Sequence, residues 1–283
     1  MKELSISGHS LAFEEHSTGE HTLVFIHGWS SNQFFWKPIL DKFYKYGRVV
    51  TFSLPGHYPS RFPENFKSFS QDELVELSAE AMRQIGGGKK LTLIGHSAGG
   101  LVSIGIAGKY PELVERLIAI CPASHGPIEG ALYPLKLGMQ FGLSPIMSIV
   151  HKMLFYVPMS MELFFANAVH EHSKFFPNPE NKAYLEEYKK HFEKIDSNVM
   201  WIYLDLLDKS DIRILARQVK CPSFFLLGDH DKMVPRTHGV RLSKLVSNSE
   251  SFVMDCGHLP TLEEKEKSIE LLQNWLELHP IVQ

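Results

Sequence analysis

A serine, an aspartate and a histidine could do chemistry together in this 283-residue chain, each placed just after a short apolar run. Ser97 lies in Gly95-His-Ser-Ala-Gly99, a G-x-S-x-G pentapeptide following Leu91–Ile94. A serine at a tight strand-to-helix turn is pushed out where a substrate can reach it, and glycines on either side leave no Cβ where the chain reverses. By itself the pentapeptide also fits a glycine-rich turn that needs a small residue at 97. A serine hydroxyl becomes a nucleophile only with a base in hydrogen-bond reach and an acid behind that base. The run Phe224–Leu227 leads into Gly228-Asp-His-Asp-Lys-Met-Val-Pro235, and Ser251–Met254 leads into Asp255-Cys-Gly-His258. Taken in chain order, Ser97, Asp231 and His258 supply nucleophile, acid and base.

The competing side chains fit less well. His96 adjoins the serine, and a sharp turn points neighbouring side chains apart. His57 lies in an early loop with no acid in the expected place. Asp229 sits one residue past Gly228 and is expected to structure its loop, while Asp255 is too near His258 along the chain to orient it from behind. An attacked carbonyl also needs donors for the oxyanion. The Ala98 N–H, at a helix start where free N–H groups and the helix dipole point at the site, is one. The Trp29 N–H, after the glycine of His27-Gly28-Trp29, is the other. His27 is expected to brace that turn rather than react.

These loops need a scaffold that brings strand ends together. Residues 3–16 alternate polar and apolar around Gly8-His9 and predict a two-stranded antiparallel start. Continuous apolar runs at Thr22–Ile26, 49–52, 91–94, 117–120 and 224–227, with a last one at 251–254, predict strands buried on both faces. Gln71–Ile85, Ser97–Tyr110 and Leu262–Leu278 carry helical periodicity. The alternation predicts a parallel sheet covered by helices on both faces, with ligands at the carboxyl ends of its strands. From about Gly126 to Leu215 no strand is evident. That stretch is rich in Met, Phe, Tyr and Leu and is interrupted by Pro127, Pro134, Pro145, Pro158, Pro177 and Pro179. It predicts helices forming a cap over an apolar pocket, with Met139, Met147, Met153, Met159 and Met161 as filler. The expected division is a core of 1–124 and 216–283 with an inserted cap of 125–215.

Composition excludes several functions. A net charge of −3, without a basic tail, offers nothing to nucleic acid. Three cysteines without CxxC spacing suggest neither a disulfide framework nor a zinc site. The opening MKELSISGHS lacks an apolar core of signal-peptide length, so a cytoplasmic protein is expected. The stretch 141–169 is interrupted by His151, Lys152, Pro158 and Glu162, and docking on a membrane surface through it lacks a basic face. His170 and His172 have no third ligand nearby in sequence and read as solvated, so no metal is expected. Gly86-Gly-Gly-Lys89 lacks phosphate-loop spacing and reads as a turn.

With HGW at 27–29, LPGH at 54–57, GHSAGG at 95–100, GDHDKMVP at 228–235 and CGHLP at 256–260, the chain resembles the α/β-hydrolase superfamily over nearly its whole length. The resemblance implies a mostly parallel eight-stranded sheet, a helical cap inserted after the sixth strand, and Ser97, Asp231 and His258 as triad. Serine at 97 separates it from the dehalogenase and epoxide hydrolase branches, which place an aspartate there. Ser53 and Tyr58 depart from the aspartate and glycine that relatives often carry around LPGH. Tryptophan after HG is shared with relatives that look like pimeloyl-ACP methyl ester esterases and fixes no substrate. The expected activity is hydrolysis of a small-molecule ester or thioester with an apolar acyl part, needing no cofactor. Carbon–carbon hydrolases, lactonases, peroxidases and some aminopeptidases share the layout. A receptor-like protein with a slow triad is the alternative of another class.

Overall fold

A computed structural model of the chain describes residues 1–154 and 160–281. Pro158 and Met159 of the predicted helical stretch lie outside the described residues, as do the side chains of Met147 and Met153. The chain opens with β1 (Lys2–Ile6) and β2 (His9–Glu15), paired antiparallel as the alternation at 3–16 predicts. Then come β3 (Thr22–Ile26), β4 (Arg48–Phe52), helix α1 (Gln71–Gly86), β5 (Leu91–His96), helix α2 (Ala98–Lys109) and β6 (Val114–Ile120). One sheet of eight strands orders β1-β2-β4-β3-β5-β6, followed by β7 (Ser223–Gly228) and β8 (Ser249–Met254). From β4 across to β8 every neighbouring pair is parallel. The carboxyl ends of β3, β5, β6, β7 and β8 therefore share one edge.

The central strands are apolar over most of their length because each feeds two cores. In β3, Val24 and Ile26 enter one core while Leu23 and Phe25 enter the other. The same alternation divides Leu117 and Ala119 from Ile118 and Ile120 in β6, and Phe225 and Leu227 from Phe224 and Leu226 in β7. A period of two with both faces buried leaves no polar phase. Helices α1 and α2 cover the first core. The second is covered by 3-10 turns at Gln33–Trp36 and Leu40–Tyr46 and by helix residues Ile269, Leu272 and Trp275 near the chain end. Helix α1 starts at a reciprocal capping box between Ser70 and Glu73 and stops at Gly87 in the left-handed region.

Between β6 and β7 lie α3 (Tyr133–Gln140), α4 (Ser144–Leu154), α5 (Ser160–Phe165), α6 (His172–Phe175), α7 (Pro179–Phe192), α8 (Ser197–Lys209) and α9 (Arg213–Ala216). Several of the prolines begin these helices rather than break them: Pro134, Pro145 and Pro179 stand in the first turns of α3, α4 and α7. A missing N–H costs nothing there. Met161 is buried and Met139 packs on the first core. Among the described residues no helix is long and apolar enough to cross a membrane.

Two expectations change. The predicted helix 262–278 is two pieces after α10 (Arg236–Ser243), namely α11 (Pro260–Glu263) and α12 (Lys265–Leu278), with Glu264 in a non-helical conformation between them. Both pieces bury apolar residues, so periodicity does not register the break. Residues 249–254 form the edge strand rather than one buried on both faces, with Phe252 and Val253 38% and 39% exposed. The 3-10 turns at 33–46 and α10 have no strong sequence period and are visible only in the structure.

Candidate active site

Ser97 follows the last residue of β5 and precedes the first of α2. Its backbone lies at φ 53°, ψ −116°, a left-handed region that a serine enters only under constraint. The constraint is visible. Ser97 N–H donates to the Ile120 carbonyl at 2.9 Å, and the Ser97 carbonyl accepts from Leu101 and Ala123 at 3.1 and 3.0 Å. A Cβ on Gly95 would strike the Gly99 carbonyl and Ser103 Oγ, and one on Gly99 would strike the carbonyls of Ile26 and His27. The pentapeptide is glycine at both ends because helix and strand touch backbone to backbone. The Ser97 side chain does not cap α2.

Asp231 lies in the loop after β7 and His258 in the loop after β8. His258 Nδ1 is 2.7 Å from Asp231 Oδ2, and the two side chains are 7% and 2% exposed. Asp231 Oδ1 accepts from the N–H groups of Met233 and Val234 at 2.8 and 2.9 Å. With one carboxylate oxygen spent on the loop, the other faces the imidazole and selects the tautomer with hydrogen on Nδ1. That leaves Nε2 as the acceptor. Ser97 and His258 line the same cavity without a direct hydrogen bond between them. Such bonds often tighten only when substrate is bound.

The His258 backbone is clamped from two sides. Its N–H donates to the Ala168 carbonyl at 2.6 Å, and His96 Nε2 donates to its carbonyl at 2.8 Å. His96 is buried, stacked 4.8 Å from Phe35, and burial holds its pKa well below the ordinary value. Sequence reading set His96 aside as a base and missed this positioning contact. It also missed Glu263. The Glu263 carboxylate accepts from Gly257 at 3.0 Å, Leu259 at 3.2 Å and His170 at 2.6 Å, so one side chain at the end of α11 ties down the His258 loop and the segment after α5. Burial raises its pKa, against the pull of those N–H groups. No local signal announces it, because two of its partners are nearby in sequence but the third is 93 residues away.

The loop after β3 is braced by His27. The Leu54 N–H donates to His27 Nε2 at 3.1 Å, so Nδ1 carries the hydrogen and donates to the Gly28 carbonyl at 2.8 Å. Burial holds this neutral ring down at about 4. The Trp29 indole N–H donates to the Met200 carbonyl of α8 at 2.8 Å, joining the loop to the helices above. Neither the Trp29 nor the Ala98 backbone N–H donates to another group among the described residues.

The remaining candidates take structural places. His57 is buried, edge-on to His27 and Tyr203. Asp229 pairs with Arg236, and Asp255 accepts from His230 at 2.9 Å. Cys121 and Cys256 are buried and unpaired, and burial first of all pushes both thiols up, so they stay protonated. His170 is not simply solvated: its ring stacks on His230 with centroids 3.6 Å apart, close to Asp255. Only the folded chain brings these three together. His172 donates instead to the Ala166 carbonyl at 2.7 Å.

Ser97, His258 and Trp29 open onto a cavity of about 610 Å³, closed on the far side by residues of the helical stretch such as Leu135, Phe164 and Trp201. No lysine or arginine lines it among the described residues.

A family model described as the alpha/beta hydrolase fold matches residues 21–265. A pimeloyl-[acyl-carrier protein] methyl ester esterase of Yersinia pseudotuberculosis is 24% identical over 265 residues, covering 92% of this chain and 94% of that protein. Among solved structures, a thermophilic esterase from Thermogutta terrifontis matches with a TM-score of 0.75 at 19% identity, over 98% of each chain. The enol-lactonase from Burkholderia xenovorans LB400 matches with a TM-score of 0.76 at 15% identity, over 98% of this chain and 100% of that one. With the strand order, the strained serine at the end of β5 and a family match over most of its length, the chain belongs to the alpha/beta hydrolase fold family.

Proposed function

We propose that the chain is a serine hydrolase of carboxylic esters or thioesters with an apolar acyl part, acting through an acyl-enzyme. The observation that carries the reading is the 2.7 Å contact of His258 Nδ1 with Asp231 Oδ2, set beside the strained Ser97 on one apolar cavity. Ser97 Oγ attacks the carbonyl carbon while His258 Nε2 takes its proton. Asp231 holds the imidazole and stabilises its charged form. The free N–H groups of Trp29 and Ala98 donate to the oxyanion, and losing one such donor costs about 3–4 kcal/mol of barrier. The imidazolium then returns the proton to the leaving group, and water repeats the attack on the acyl-enzyme. No metal or cofactor enters this sequence.

Residues 125–215 act as the cap and 1–124 with 216–283 as the hydrolase core. The partner is a small apolar ester or acyl compound, and we place the protein in the cytoplasm, in keeping with its unpaired cysteines. Ester cleavage is favoured over cleavage of an anionic diketone because no cationic side chain lines the cavity among the described residues. The esterase names of the relatives support the same reading. Fluorophosphonate labelling tests it directly. Covalent label on wild-type protein, lost in Ser97→Ala, is expected; a folded wild type that takes no label would overturn the assignment.

A further inference from the structure

One wall of the cavity is polar. Ser124 and His125 follow β6, His238 stands on α10, and with Glu129 they line the same space as Ser97 and His258. The His125 and His238 rings stack with centroids 4.3 Å apart and planes 25° from parallel. His125 Nδ1 is 3.0 Å from Ser124 Oγ. Glu129 Oε2 stands 3.8 Å from His238 Nε2, beyond hydrogen-bond reach. His125 Nε2 and both nitrogens of His238 therefore have no hydrogen-bond partner among the described residues.

Burial lowers the pKa of both rings. For His125 the nearby Arg213 adds to it, and for His238 its neighbour His125 does, against Glu129, which pulls both the other way. The pair is neutral near pH 7. A neutral imidazole presents one donor and one acceptor. Polar atoms in a cavity lined mostly by apolar side chains carry a desolvation cost that a hydrocarbon chain would leave unmet. A group that both donates and accepts would meet it, and a hydroxyl does both. A carboxylate would face the negative Glu129.

We propose that His125 and His238 form a subsite for a hydroxyl group, so that the preferred substrate is an ester bearing a hydroxyl on the arm that lies against α10. This rests on the ester-hydrolase reading and narrows its substrate class. Pairs of esters, each hydroxylated on the acyl or on the alcohol arm and matched to its deoxy counterpart, test it. In wild type, kcat/KM should favour the hydroxylated member of one pair by about tenfold, the scale of one or two neutral hydrogen bonds. His238→Phe and His125→Phe keep the stacked ring and remove its nitrogens, and each should bring that ratio down to about one. His238→Gln, which keeps a donor and an acceptor, should restore part of it. Calorimetric binding of the same pairs to Ser97→Ala gives an answer independent of turnover. No preference for the hydroxyl on either arm, in kcat/KM or in binding, overturns the subsite. So does a preference that survives both phenylalanine variants. Esters hydrolysed without that preference would leave the hydrolase reading standing, whereas absence of both turnover and Ser97 labelling would sink that reading itself.

Discussion

Replacing Asp231 with asparagine separates orientation of the base from the rest of the site. Asp231 Oδ1 accepts from Met233 and Val234, so the amide oxygen of an asparagine takes over that oxygen's place and the loop keeps both bonds. The amide nitrogen then replaces Oδ2, 2.7 Å from His258 Nδ1, and presents a donor where the wild type presents an acceptor. The imidazole must answer with its lone pair, which moves the hydrogen to Nε2. A histidine protonated on Nε2 cannot accept the Ser97 proton. Loss of the correct tautomer with geometry intact costs about four decades in rate, or about 5 kcal/mol at roughly 1.4 kcal/mol per decade. The assay is kcat/KM on a p-nitrophenyl ester, together with the rate of fluorophosphonate labelling. Thermal unfolding should change little beside that loss. An Asp231→Asn enzyme within about tenfold of wild type would refute the tautomer argument and put another carboxylate behind His258.

Further outcomes follow from the surrounding contacts. Ser97→Gly relieves a positive-φ serine worth about 1 kcal/mol or more, so differential scanning calorimetry should place its Tm about 2–4 °C above that of Ser97→Ala. Glu263→Ala unbonds the N–H groups of Gly257, Leu259 and His170, each of which costs about 1–3 kcal/mol if left unsatisfied; both kcat and Tm should fall, with Glu263→Gln between the two. For pH, His27 sits at about 4 when folded against an ordinary 6.5, so its contribution is whole above 6.5 and lost as pH falls toward 4. The loss is about 3 kcal/mol over that window at about 1.4 kcal/mol per unit, and urea unfolding of His27→Asn should show a shallower decline than wild type between those pH values.

Much of the scaffold is legible in sequence because both its periods are strong. Runs such as Thr22–Ile26 and Leu91–Ile94 are apolar on both faces apart from one buried threonine each, as an extended segment between two cores requires. The same rule fails for Ser249–Met254, where a similar run stands at the sheet edge, because strand order is not written in any local pattern. The break between α11 and α12 escapes for a related reason: both pieces bury apolar residues, so the helical period runs on past Glu264, which alone lies outside the helical conformation between them.

By itself the sequence determined the residue types and their order: a serine flanked by glycines, then an aspartate, then a histidine, each just past an apolar run. Those are local facts, and local sterics explain part of them, since a Cβ on Gly95 would strike the Gly99 carbonyl one turn on. The tertiary structure alone decided what lies beside what. It set the 2.7 Å between His258 and Asp231, the clamp of His96 and Ala168 on the His258 backbone, and the stacking of His125 on His238. Each joins residues from separate segments, and their distances follow from how a parallel sheet gathers its strand ends on one edge and from the helices packed above them, not from spacing along the chain.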